Sequence, residues 1–93
     1  MKYIVKPTNA FKKAYKKCIK QNLDISLLDD VIQKLASGQT LEPKNRDHAL
    51  TGIYTGFREC HVKPDWLLIY RINNDILVLT LIDTGSHSEV LKM

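Results

Sequence analysis

Three short segments with the composition of strands, in the second half of the chain, constrain its fold more than any other feature. Residues 54–62, 66–72 and 76–82 are rich in aromatic and β-branched side chains, a composition typical of strands. The tripeptides between them, Lys-Pro-Asp at 63–65 and Asn-Asn-Asp at 73–75, consist of turn-forming residues. Because connections this short join neighbouring antiparallel strands, the sequence predicts three strands paired in order.

Two amphipathic helices are predicted ahead of these strands. Apolar residues recur at helical spacing across 10–19 and again across 27–35. Thr8 is the predicted N-cap of the first helix, and an acidic capping box at 26–29 is predicted to open the second. With a short strand at 1–5, the element order becomes β-α-α-β-β-β. We therefore expect one α+β domain covering all 93 residues, a helical hairpin packed on a small antiparallel sheet.

The positive charge of the chain is concentrated at one end. Residues 1–22 contain seven lysines and no acid, whereas the rest of the chain carries seven basic and ten acidic side chains. A surface of one sign attracts a polyanion such as RNA, or an acidic protein. The alternative is that the lysines only solvate the outer face of a helix. The uniform sign favours an anionic partner.

Several kinds of protein are disfavoured by the sequence. No apolar stretch approaches the roughly 18 residues needed to span a membrane, and the N-terminal segment lacks the pattern of a signal peptide. Cys18 and Cys60 form neither a Cys-x-x-Cys pair nor a disulfide framework, and Gly-x-Gly-x-x-Gly and Walker-type loops are missing. We therefore expect a cytoplasmic protein with no membrane partner.

The candidate site residues all belong to the second half of the chain. His48, His61 and His87 lie at element edges or in loops, and Asp65 follows His61 by four positions. Imidazoles titrate near neutral pH and suit general acid–base work, although an ordinary hydrogen-bonded histidine is the alternative for each. The same set could bind zinc, but no pair has the tight spacing of a metal site, so we expect no metal. Trp66 either stacks on a base or belongs to the core.

Three motifs give the chain a resemblance to a known family. They are Asp-His-Ala-Leu-x-Gly at 47–52, Phe-Arg-Glu-Cys-His-Val-Lys-Pro-Asp-Trp-Leu-Leu-Ile-Tyr at 57–70 and Thr-Gly-Ser-His-Ser at 84–88. With them, nearly the whole chain resembles the YafQ branch of the RelE/ParE toxin superfamily. The resemblance implies a RelE-like fold and a bacterial type II toxin. Such a toxin is an endoribonuclease that cuts messenger RNA in the ribosomal A site, needs no cofactor and is held inactive by a cognate antitoxin.

The resemblance also implies roles for individual residues. The family's active-site positions correspond here to His48, His61, Asp65, Trp66 and His87. His87 is the expected general acid, and either Asp65 or His61 is the base. His48 helps to stabilise the phosphate, and Trp66 shapes the site or stacks on RNA.

Two positions depart from the family's pattern. Asp83 occupies a position where the family often has arginine, and Leu91 one where it has phenylalanine. The first departure replaces a cation near the phosphate by an anion, so either another cation acts there or the activity is weak. The candidates are Arg58, Lys63 and Arg46.

The lysine-rich helix is expected to dock on the ribosome, through 16S ribosomal RNA. Its candidate contacts are Lys12, Lys13, Lys16 and Lys17. Operator DNA is expected to be contacted only through the antitoxin. Two alternatives stay open: a ParE-like toxin that acts by binding a protein such as a topoisomerase, without RNA cleavage, and a plain RNA-binding module that uses the lysine helix.

Overall fold

The computed structural model describes residues 2–83, in which two helices pack against a five-stranded sheet. Two single turns of 3₁₀-helix, Pro43–Asn45 and Gly52–Tyr54, flank the second strand. In chain order the helices and strands are β1 (Ile4–Pro7), α1 (Asn9–Lys20), α2 (Ile25–Ala36), β2 (His48–Ala49), β3 (Arg58–Lys63), β4 (Trp66–Asn73) and β5 (Ile76–Asp83). The α+β class is confirmed, as is the predicted order apart from the additional short strand β2. Neither helix is long and apolar enough to cross a membrane.

The first helix begins as the sequence predicts, and the second does not. Thr8 Oγ1 accepts a hydrogen bond from the Phe11 amide at 3.1 Å and caps α1. The N-cap of α2 is Asp24, whose carboxylate accepts from the Ser26 amide at 3.2 Å. The capping box predicted at 26–29 is therefore wrong. Starting earlier lets the helix include Ile25, which packs against the core.

The sheet has the strand order β1-β5-β4-β3-β2. Strands β3, β4 and β5 form the predicted antiparallel succession. Strand β1 instead pairs with β5 in the parallel direction, with Ile4 opposite Ile76, so the sheet is mixed and the purely antiparallel prediction is wrong. Short turns dictate the direction only of consecutive strands, and β1 reaches β5 by a connection that contains every other element.

The region before β3 also differs from prediction. The strand begins at Arg58 and not at residue 54, because residues 52–54 form a 3₁₀ turn and Gly56 follows with φ of 98°, a conformation that side chains other than glycine rarely adopt. The chain before this turn adds the two-residue strand β2, which places His48 opposite Glu59. His48 thus lies in the sheet and not in a loop.

The two faces of the sheet have different roles. One face packs against the helices through a core that includes Cys60, Trp66, Leu68 and Tyr70. The other face carries a smaller cluster formed by Leu67 and Ile69, with Leu50, Phe57 and Leu81 against it. Since successive side chains of a strand point to opposite faces, β3 directs Glu59 and His61 away from the helices. This alternation creates the candidate site.

Candidate active site

An open cleft of about 390 Å³ lies at the edge of the sheet where β2 meets β3. Its lining combines two imidazoles, one carboxylate and one guanidinium, from Arg46, His48, Glu59 and His61. Two of them come from β3 and two from the segment that contains β2. The structure therefore brings His48 and His61 together, although 13 positions separate them in the sequence.

Glu59 lies between the two histidines. Its carboxylate is fully buried, and Oε1 is 3.5 Å from Nε2 of His48 and 3.8 Å from Nε2 of His61. A buried carboxylate is costly unless opposite charges or hydrogen-bond donors face it. Sequence reasoning missed this residue. The signal was present in the two-residue spacing from His61, because residues two apart on a strand share a face.

Both histidines are oriented by backbone carbonyls. His48 Nδ1 is 2.6 Å from the carbonyl oxygen of Arg46, and His61 Nδ1 is 3.2 Å from that of Pro64. A carbonyl only accepts, so each Nδ1 carries a hydrogen and donates it. Both Nε2 atoms face Glu59 in the cleft. Each is the basic nitrogen of a neutral ring, and it becomes a donor to the carboxylate when the ring takes up a proton.

Of the three candidate cations for the phosphate, Arg46 lines the cleft. It is exposed and adopts a left-handed backbone with φ of 48°. Arg58 lies on the opposite face, where its Nε donates to Asp47 Oδ1 at 3.2 Å. Burial alone would lower the pKa of Arg58, but a hydrogen bond with Tyr70 and the charge of Asp47 raise it overall. Lys63 is exposed at the end of β3.

Two further predicted site residues are found outside this lining. Asp65 is exposed in the turn between β3 and β4, next to the Pro64 carbonyl that orients His61. Trp66 is only 2% exposed and belongs to the core beneath the helices. A ring buried in this way is not accessible to a base, so the core interpretation of Trp66 holds and the stacking interpretation does not.

Three predicted positions cannot be placed in the cleft. His87 and Leu91 lie outside the described residues, and so does the side chain of Asp83, whose backbone pairs with Leu67 at the end of β5. Within residues 2–83, no group of three or more His, Cys, Asp or Glu side chains is arranged to hold a metal ion.

The lysines of α1 form a second exposed surface, separate from the cleft. Lys12, Lys13, Lys16 and Lys17 are all exposed, and the first turn of the helix contains no acid. Lys12 and Lys16 border an apolar groove of about 320 Å³ whose other lining residues are Pro7, Phe11 and Tyr15. The helix therefore presents a positively charged surface to solvent.

Comparison with known proteins identifies the family. The sequence model described as "Bacterial toxin of type II toxin-antitoxin system, YafQ" matches residues 3–92. The mRNA interferase toxin YafQ of Escherichia coli strain B/BL21-DE3 is 32% identical over 79 residues, covering 84% of each chain. The match to the same toxin of strain K12 is 42% identical over 43 residues, and so spans 46% of this chain and 45% of that protein.

Solved structures agree with this match. A copper-bound mutant toxin from Helicobacter pylori has a TM-score of 0.88 and 39% identity, covering 97% of this chain and 99% of its own. The toxin in a complex of E. coli DinJ and YafQ has a TM-score of 0.84 and 27% identity, covering 95% and 97% respectively. The family match over nearly the whole sequence and the shared fold together show that the chain belongs to the YafQ family of toxins from bacterial type II toxin–antitoxin systems.

Proposed function

We propose that the chain is an endoribonuclease toxin, an mRNA interferase that cleaves messenger RNA on the ribosome by metal-free acid–base chemistry in the cleft. The observation that carries the proposal is the pair of imidazoles whose Nε2 atoms face one buried carboxylate beside Arg46. The mRNA interferase name of the E. coli relatives supports the same reaction.

The reaction needs three groups at the scissile phosphate. A base takes the proton of the 2′-hydroxyl, and the 2′-oxygen forms a bond to phosphorus. Cations or hydrogen-bond donors stabilise the charge that grows on the phosphate oxygens. The bond to the 5′-oxygen breaks as an acid gives that oxygen a proton, which leaves a 2′,3′-cyclic phosphate and a free 5′-hydroxyl.

We assign the base to His61. Its Nε2 faces the cleft while its Nδ1 is held by the Pro64 carbonyl, whereas Asp65 lies in the exposed turn. Arg46 then binds the phosphate from the other wall. His48 joins it in the protonated form of the ring, because Nδ1 already donates to the Arg46 carbonyl and only a protonated Nε2 can donate to a phosphate oxygen. His87 keeps the role of general acid on the strength of the family resemblance. Each proton-transfer role contributes on the order of 10²-fold to 10⁴-fold in rate.

Glu59 acts through the histidines and not on the RNA, since its side chain is fully buried. As His61 takes up the 2′-hydroxyl proton, it becomes a cation beside the carboxylate, which lowers the energy of that state. Glu59 is therefore a positioning and charge-balancing group. The aspartate behind a catalytic histidine in hydrolases binds the nitrogen that does not react, whereas Glu59 faces the reacting Nε2 of His61.

The remaining parts of the proposal concern partners and location. The lysines of α1 dock on 16S ribosomal RNA, and the ribosome as target places the toxin in the cytoplasm. A cognate antitoxin neutralises the toxin, as the complex of DinJ with YafQ suggests for that relative. Operator DNA is reached only through the antitoxin.

The test is primer extension on ribosome-bound messenger RNA with purified wild-type toxin and a His61→Gln variant. Wild type is expected to produce new 5′ ends on messenger RNA in the ribosome and the variant to produce about 10²-fold fewer. Circular dichroism and antitoxin binding report whether the variant is folded. Wild-type cleavage by folded His61→Gln would refute the base assignment. Toxicity with no RNA cleavage by wild type would support the protein-binding alternative.

A further inference from the structure

The four residues 45–48 alternate between the protein interior and the cleft. Asn45 is buried and the side chain of Asp47 is 25% exposed. Arg46 and His48, in contrast, are exposed and line the cleft. The segment therefore carries two inward polar groups, neither used in the proposed reaction, next to two groups that are.

Asn45 ties the segment to the strand that carries the base. Its Nδ2 donates to the backbone carbonyl of His61 at 2.7 Å. The bond joins the 3₁₀ turn before β2 to β3 at the residue whose imidazole faces the cleft. This buried hydrogen bond from a side-chain amide fixes the distance between the segment 45–48 and strand β3, which form the two sides of the cleft.

Asp47 makes the second attachment, on the helix side of the sheet. Its Oδ1 accepts from the Tyr70 hydroxyl at 2.6 Å and from Arg58 Nε at 3.2 Å. Tyr70 is 1% exposed, and its pKa is raised, first by burial and then by the hydrogen bond to Asp47. The phenol therefore remains a donor throughout the neutral range, and a charged acceptor makes this bond stronger than one between neutral groups.

The backbone between the two attachments is held in an unfavourable conformation. Arg46 has φ of 48°, a left-handed geometry that is strained for a residue with a side chain. Strand β2 contains two residues, and within residues 2–83 its one partner strand is β3. A strand of two residues makes too few backbone hydrogen bonds to maintain this conformation by itself, so the side-chain hydrogen bonds of Asn45 and Asp47 are needed to stabilise it.

We propose that Asn45 and Asp47 are positioning residues that hold Arg46 and His48 in the cleft, with Tyr70 and Arg58 as the anchor of Asp47. The predicted effect on the cleavage rate rests on the proposed function. The predicted effect on the geometry of the cleft does not depend on it. Held in this way, the Arg46 carbonyl accepts from His48 Nδ1 at 2.6 Å, and His48 Nε2 stays turned towards Glu59.

The experiment compares Tyr70→Phe and Asp47→Asn with a matched control, Tyr15→Phe. The control removes a similar bond, from the Tyr15 hydroxyl to Asp29 at 3.0 Å, that joins the two helices away from the cleft. Two-dimensional ¹H–¹⁵N spectra of the imidazoles report the tautomer of His48, and single-turnover cleavage of ribosome-bound messenger RNA reports the rate.

In wild type and Tyr15→Phe we expect one His48 tautomer, protonated at Nδ1. In the other two variants we expect mixed tautomers and a single-turnover rate constant lower by roughly tenfold to a hundredfold, because small displacements of reacting groups have costs of this size. The substrate concentration that gives the half-maximal rate should be unchanged. Asp47→Asn serves alone if Tyr70→Phe fails to fold. An unchanged His48 spectrum in a folded variant would overturn the proposal. If wild type cleaves no RNA, the spectra still test the geometry and only the proposed function fails.

Discussion

Replacing Glu59 by Gln tests whether the buried carboxylate stabilises the cation that forms on His61. The change keeps the shape of the side chain and removes its charge. At the observed 3.8 Å, a full charge on His61 Nε2 interacts with Oε1 by about 4 kcal/mol at an effective dielectric constant of about 20. Because about 1.4 kcal/mol corresponds to a tenfold change in rate, the upper limit of the effect is roughly 10³-fold.

The cleft is open to water, so part of this attraction is screened, and we expect Glu59→Gln to slow single-turnover cleavage by about 10²-fold. The matched control is Glu42→Gln, which removes an exposed carboxylate that pairs with Lys34 and Lys44 and does not line the cleft. The control should cleave at the wild-type rate. Antitoxin binding and the circular dichroism spectrum should be unchanged in both variants. A folded Glu59→Gln protein that cleaves within about threefold of wild type would refute the charge-balancing role.

Three further predictions follow from the described geometry. Changing the exposed lysines of α1 to glutamate should weaken co-sedimentation with ribosomes and flatten its salt dependence. The changed residues are Lys12, Lys13, Lys16 and Lys17. Undiminished binding at every salt concentration would show that these lysines do not dock on the ribosome. Burial raises the pKa of the Cys60 thiol and the Tyr70 phenol above 9.0 and 10.0, so the folded chain keeps protons that the unfolded chain loses. Stability should therefore be full below about pH 9 and fall above it in urea unfolding, by up to about 1.4 kcal/mol per pH unit for each group, and Cys60→Ala should flatten this fall. Arg46→Gly should relieve the left-handed strain and stabilise the fold by about 1 kcal/mol while cleavage falls, whereas equal cleavage would exclude Arg46 as the phosphate cation.

Local sequence patterns predicted those parts of the fold that local interactions determine. The three-strand succession rests on alternation and on turns at 63–65 and 73–75, and the Thr8 cap rests on a contact three residues away. The parallel pairing of Ile4 with Ile76 has no such local signal, because it depends on which edge of the finished sheet is free. The left-handed conformation of Arg46 could not be predicted from the sequence for a similar reason. It is imposed by the hydrogen bonds that Asn45 and Asp47 make to distant residues.

The candidate site was predicted only in part, because some of its residues are brought together by contacts that are distant in the sequence. The histidines were found because imidazole chemistry is rare in this chain, whereas a glutamate within a strand looks like an ordinary solvent-exposed residue. Only the pairing of His48 with Glu59 across β2 and β3 shows that this glutamate is enclosed. Trp66 was left between two interpretations because an aromatic residue at the start of a strand fits both, and its burial decides between them.

The parallel pairing of β1 with β5 has a consequence for the synthesis of the protein. The two strands are joined near Thr8, whose hydroxyl donates to the carbonyl of Thr80, 72 positions later, at 2.8 Å. Ribosomes make the chain from its N-terminus, so β1 leaves the exit tunnel long before β5 does. Until β5 emerges, β1 has no strand with which to form these parallel hydrogen bonds. Helix α1, which packs on β5, waits with it. A nascent chain thus has an incomplete sheet until β5 emerges, and a toxin built in this way cannot reach its folded state on the ribosome that is still translating its strands.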